Sequence, residues 1–136
     1  MDLIKAMKIS AAGMKAQGAR LRTISENIAN ADSLPTAPGE KPYLRKVVTF
    51  KNELDRNLGA ELVKVDSVRP VETGLQQRFE PTHPAANKDG YVDIPNVNSL
   101  VEMMDMREAQ RSYEANLSVI EVSKSMIQGT IGLLQR

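Results

Sequence analysis

Apolar positions recur at alternating intervals of three and four residues at both ends of the chain. In the first segment the series reads Leu3, Met7, Ser10, Met14, Gln17, Leu21, Ile24, Ile28 and Ala31. In the last it reads Met103, Met106, Gln110, Tyr113, Leu117, Ile120, Lys124, Ile127, Ile131 and Leu134. This spacing keeps one face of an α-helix apolar, in the manner of a coiled-coil seam. Asp2 is placed to cap the first helix, and Pro35 marks its limit. Ser99 and Glu102 have capping-box spacing at the start of the second. An apolar stripe cannot stay in water, so each helix needs a partner, and the other helix of the same chain is the nearest. The expected fold is mainly α, with long N- and C-terminal helices pairing as an antiparallel coiled coil.

All seven prolines fall between Pro35 and Pro95. The chain therefore divides into a discontinuous two-helix part, residues 1–34 and 96–136, and a small β/loop segment, residues 35–95. Within the latter, Arg45–Phe50 is rich in β-branched residues and Leu62–Val68 alternates, as strands do. Pro38-Gly39, Glu72-Thr73-Gly74 and Lys88-Asp89-Gly90 are turn signals.

Composition sharpens this picture. The aromatics are Tyr43, Phe50, Phe79, Tyr91 and Tyr113 alone, so the largest core blocks are scarce and a thin or divided core is expected. Ala, Gly and Ser fill eight of the seventeen positions from 3 to 19, and Gly129 and Gly132 interrupt the other helical pattern. Such residues let helix backbones approach closely, or else loosen the helix locally. Eighteen basic residues against seventeen acidic ones give a net charge of +1. Basic residues are also dispersed, so no nucleic-acid partner is expected. The first helix is modestly basic and amphipathic, which leaves membrane-surface binding open. No membrane insertion and no cleaved signal peptide are expected, because charges break every apolar stretch.

Candidate chemistry is sparse. There is no cysteine, so thiol catalysis and cysteine zinc sites are excluded. His83 is the only histidine and sits in Thr82-His83-Pro84; a catalytic triad assembled from distant residues stays open, without a nucleophile-elbow motif to support it. Residues 85–96 carry Asn87, Asp89 and Gly90 at calcium-loop spacing. Ala85 and Asn96 occupy the positions of the first ligand and the bidentate glutamate, so the stretch reads as a turn. No cofactor or metal is expected. Three readings remain from the residues alone: an assembly subunit, a soluble helical adapter binding partner helices, and a small hydrolase using His83. For the first, the interface is expected on Leu3, Met7, Met14, Leu21, Ile24, Ile28, Met103, Met106, Tyr113, Leu117, Ile120, Ile127, Ile131 and Leu134.

One stretch, Ser25-Glu26-Asn27-Ile28-Ala29-Asn30-Ala31, resembles a motif of bacterial flagellar axial proteins near the end of their first helix. Pro42 to Phe50 is similar to the segment that follows it in the flagellar basal-body rod protein family. His83-Pro84-Ala85-Ala86-Asn87-Lys88-Asp89-Gly90-Tyr91-Val92, then Pro95-Asn96-Val97-Asn98, resembles the proximal-rod branch of that family. Glu102-Met103, Met106, Ala109, Arg111, Tyr113 and Ala115-Asn116 resemble its final helix. The chain departs from the pattern at Ala86, at Leu34-Pro35-Thr36-Ala37 and at Ser99-Leu100-Val101. The resemblance implies a non-enzymatic structural subunit of the proximal rod that helps form the drive shaft and export channel. Implied partners are other rod subunits, further copies of itself and the flagellar type III export apparatus. The implied location is the periplasmic rod of the basal body, reached without a cleaved signal. The motif residues singled out are Asn27, Ile28, Ala29, Asn30, His83, Pro84, Gly90, Tyr91, Pro95 and Asn96.

Overall fold

The computed structural model describes residues 2–134. Met1, Gln135 and Arg136, which belong to the expected helical segments, lie outside them. Two long helices flank a small β-containing middle in the sequence. In chain order these are α1 (Leu3–Ala29), β1 (Lys46–Asp55), β2 (Ala60–Pro70), β3 (Gln76–Phe79), β4 (Tyr91–Ile94) and α2 (Ser99–Leu134).

Local chemistry sets the helix ends. Asp2 Oδ1 accepts from the backbone N–H groups of Ile4 and Lys5 at 3.1 and 3.2 Å, satisfying donors that the first turn leaves free. At the other end α1 stops at Ala29, earlier than Pro35 requires. Ala31 N and Ser33 N bond back three residues, to Ile28 O and Asn30 O, so the ladder tightens and ends. Asn30 Nδ2 takes the carbonyl of Glu26 at 2.9 Å. The start of α2 corrects the capping-box expectation. Asn98 is the cap, its Oδ1 accepting from Leu100 N and Val101 N at 3.1 and 3.3 Å. The carboxylate of Glu102 is engaged elsewhere.

The chain forms two compact units. One comprises Met1–Leu21, Val48–Ser67 and Arg107–Arg136; the other comprises Arg22–Val47 and Val68–Met106. In the first unit, Arg20 Nη2 lies 3.5 Å from Glu108 Oε2. A Cβ at Gly13 would stand 2.9 Å from Asn116 Nδ2. Ile4, Met7 and Ala11 share a groove with Ile120 and Ile127. The strands of this unit carry cross-strand pairs in opposite sense, Thr49 with Ser67 and Glu53 with Lys64. Val63 and Val65 border Ala12 and Ala16. Gly59 ends the β1–β2 turn at φ +61°, a conformation that glycine adopts without the Cβ clash other residues suffer.

In the second unit β3 and β4 pair antiparallel, with Gln76 opposite Ile94 and Phe79 opposite Tyr91. The two rings meet edge to face at 5.3 Å. Asn87 Oδ1 accepts from Asp89 N and Tyr91 N at 3.0 and 2.9 Å, which is the turn that the calcium-like spacing encodes. Gly90 has φ +81°, and a Cβ there would meet the Phe79 ring at 3.0 Å.

Besides Pro35, Pro42 and Pro95, the buried apolar side chains among the described residues are few and mostly small: Ala16, Ile24, Ala85, Val92 and Ala109. The inward face of α2 corrects the expected seam. Met106, Tyr113, Ile120 and Ile127 are half-buried as the periodicity requires, but Met103, Gln110, Leu117, Lys124, Ile131 and Leu134 are exposed. Glu102, Ala109 and Ser123 are buried in place of their neighbours Met103, Gln110 and Lys124, and Asn116 is half-buried beside exposed Leu117. Where Gly13 brings α1 against Asn116, only small or compact polar groups fit, and the larger apolar ones turn outward. On α1, Ile24 is buried, while Leu3, Met7, Met14, Leu21 and Ile28 are half-buried.

That close approach can be tested. Gly13→Leu is expected to lower stability by about 1–3 kcal/mol through overpacking. Gly13→Ala asks only that the Asn116 amide swing from Ser112 O, and the gain of roughly 1 kcal/mol in helix propensity opposes this. Gly13→Ala with Asn116→Ala should then match or exceed the parent in urea unfolding. A neutral Gly13→Leu would show that the helices are not in close contact there.

Candidate functional site

Asn27 and Glu102, each 1% exposed, are among the largest fully buried side chains of the described residues. Buried polar groups must be bonded to be tolerated, and Asn27 uses its full bonding capacity. Its Nδ2 donates to Lys46 O at 2.8 Å and to Glu102 Oε2 at 3.0 Å. Its Oδ1 accepts from Lys46 N and from the Tyr43 hydroxyl, both at 2.9 Å. The other oxygen of Glu102 accepts from Arg45 Nε at 2.5 Å, and Arg45 Nη2 lies 3.6 Å from Asp105. Asn96 continues the clasp: its Oδ1 accepts from Arg45 N at 2.7 Å, while its Nδ2 donates to Val71 O and Thr73 O.

The electrostatics fit a structural clasp. Lys46 pairs with Glu26, and that hydrogen bond raises the lysine above its ordinary pKa. Burial pushes the Tyr43 phenol upward, reinforced by the charges of Glu26 and Glu102 and opposed by Lys46. No group of metal-binding side chains occurs among the described residues. The clasp ties the last turns of α1, the lead into β1 and the first turn of α2.

The outward side of α2 is a second feature. On the part of α2 in the first unit, Val119, Val122, Met126 and Leu133 are all exposed, and their spacing places them on one helical face. Val122 is 53% exposed and Met126 55%. A run of this kind is a candidate interaction surface. No helix among the described residues is long and apolar enough to cross a membrane.

A family model described as "Flagellar basal body rod FlgEFG protein C-terminal" matches residues 88–133. Over 133 residues the chain is 48% identical to the flagellar basal-body rod protein FlgC of Agrobacterium fabrum, covering 98% of this chain and 96% of that one. The chain belongs to the FlgC family of flagellar basal-body rod proteins. Two further FlgC proteins are similar along their lengths. The Salmonella typhimurium protein is 37% identical over 135 residues, covering 99% of this chain and all of the relative. The Borreliella burgdorferi protein is 35% identical over 153 residues, covering 99% of each. As a FlgC-family member the chain is a structural rod protein and not an enzyme, so His83 needs no catalytic explanation. Its Nδ1 accepts from Ala85 N at 3.1 Å, bracing the turn around Pro84.

The residues that carried the FlgC-type motif divide by role. Asn27 and Asn96 belong to the clasp, Asn30 ends α1, and Gly90 and Tyr91 shape the β3–β4 turn. Pro95 is buried, Ile28 half-buried, and Ala29 and Pro84 exposed. The expected interface residues are not gathered into one patch: Met103, Leu117, Ile131 and Leu134 point outward, and the remainder are wholly or partly covered within the chain. The exposed stripe through Val122 and Met126 escapes the first periodicity because it is a second one on the same helix. Glu102 escapes because a capping box accounts equally well for its position.

Proposed function

We propose that this FlgC-family chain polymerises through its terminal helices as a subunit of the proximal rod, helping form the drive shaft and export channel. The exposed apolar stripe on α2 carries this reading, since a helix in water gains nothing from it until neighbours cover it. In this reading residues 1–34 and 96–136 form the axial part, with α1 and α2 as an antiparallel coiled coil, and residues 35–95 form the outer part. The ordering of contacts supports the pairing: Gly13 meets Asn116 and Arg20 meets Glu108, so positions that ascend on one helix descend on the other. The interface combines the α2 stripe with Leu3, Met7, Met14, Leu21, Ile24, Ile28, Met103, Met106, Tyr113, Leu117, Ile120, Ile127, Ile131 and Leu134, those now half-covered being completed by neighbours. The partners are other rod subunits and further copies of itself. Delivery is by the flagellar type III export apparatus to the periplasmic rod, without a cleaved signal.

Electron microscopy of basal bodies from a strain lacking this chain tests the role. Rods are expected to be missing and to return when the gene is restored. Complete rods in its absence would instead fit an adapter that binds helices elsewhere.

A further inference from the structure

In the first unit, Ile4, Met7 and Ala11 of α1 and Ile120 and Ile127 of α2 line an open groove of about 480 Å³, with Lys8 at its wall. Lys15 lies one heptad beyond Lys8. Both lysines are exposed and neither has an acidic partner among the described residues. The flanks of Ala11 are thus Lys8 at i−3 and Lys15 at i+4, which share its helical face.

The outward ridge of α2 has the complementary pattern. Leu117, 39% exposed, is flanked by Glu114 at i−3 and Glu121 at i+4. Both glutamates are exposed and unpaired among the described residues. One triplet is basic around a small residue at a groove; the other is acidic around a leucine.

We propose that the groove at Ala11 receives the Glu114–Leu117–Glu121 ridge of a second copy of this chain. The inference rests on the assembly reading above and names one contact within it. Leu117 of one copy sits at Ala11 of the next, among aliphatic walls, and each glutamate faces one of Lys8 and Lys15. Apolar burial supplies cohesion, while the charges select the facing surface and its register. Groove against groove would set lysines beside lysines, and ridge against ridge would set glutamates together, so the contact joins unlike faces.

The absence of cysteine makes the test clean. Copies carrying Ala11→Cys and copies carrying Leu117→Cys are co-expressed in a strain lacking the parent chain, and assembled basal bodies are oxidised. A disulfide-linked pair is expected only when both variants are present. Adding Lys8→Glu and Lys15→Glu to the Ala11→Cys copy should lower the yield about tenfold. Adding Glu114→Lys and Glu121→Lys to the Leu117→Cys copy should restore it. Absence of the mixed pair in completed rods, pairing of either variant with itself, or failure of the charge swap to restore it would overturn the contact. In each of those cases rod formation would still uphold the assembly reading, which falls instead if complete rods form in the strain lacking this chain.

Discussion

Replacing Asn27 by Ala is expected to lower the stability of the free chain by about 3–5 kcal/mol, more than any single exposed substitution. The truncation breaks four hydrogen bonds at once. The Tyr43 hydroxyl can turn toward water, but the N–H and C=O of Lys46 lose the amide that bonds both, and Glu102 keeps its buried charge with Arg45 alone. Asn27→Asp is the sharper variant because its shape is unchanged. It still accepts from Lys46 N and Tyr43, yet it places a second carboxylate against Glu102 and turns an acceptor toward Lys46 O. It should be at least as damaging as Ala. Urea unfolding followed by far-UV circular dichroism decides the matter, with Asn52→Ala on the exposed face of β1 as the neutral comparison. A loss below about 1 kcal/mol for both Asn27 variants would mean that the clasp is not closed in solution.

Val122→Arg combined with Met126→Arg is expected to do the opposite: leave the free chain folded and abolish the rod. Both side chains are more than half exposed, so an arginine there keeps its hydration in the monomer, and stability should change by roughly 0.5 kcal/mol or less per site. In the proposed rod contact the same positions are covered. Each substitution then forfeits roughly 1.5–3 kcal/mol of apolar burial and adds several kcal/mol for an unpaired buried charge. Secreted subunit should accumulate while rod completion and swimming fail. Lys88→Glu, in the β3–β4 turn and off the helices, should swim normally. Normal swimming by the arginine double variant would remove the α2 stripe from the interface.

Much of this architecture was legible because its determinants are local. The 3-4 periodicity located both helices. β-branched alternation located β1 and β2, and Gly39, Gly59, Gly74 and Gly90 punctuate the loops at positive φ, three of them within the turn signals. Strand β3 left no such trace: Gln76 to Phe79 is exposed throughout, so nothing forces its residues to alternate. The face that α2 turns inward was illegible for a different reason. Hydrophobic periodicity finds large apolar residues, and this helix buries Glu102, Ala109 and Ser123 while setting Met103, Leu117 and Met126 outside. A helix that sets its larger apolar groups outside shows, by pattern alone, the same periodicity as one that buries them. The clasp was half-visible. Asn27 and Asn96 stood out in the motif, but their partners are the Tyr43 hydroxyl, the Glu102 carboxylate and backbone groups of Arg45, Lys46, Val71 and Thr73, which only the folded chain brings together.

Asn27 grips Lys46 by both its backbone N–H and its C=O, and thereby closes an eighteen-residue excursion between two fixed posts. Tyr43 and Arg45 apart, which belong to the clasp, what happens between the posts is then energetically insulated from what lies beyond them. Lengthening a closed loop costs only about 0.6 kcal/mol per doubling, so this stretch can gain or lose residues while the helix behind it and the strand ahead keep their places. Evolution has there a site for diversifying the surface at small thermodynamic risk, and an experimenter has a place for an epitope.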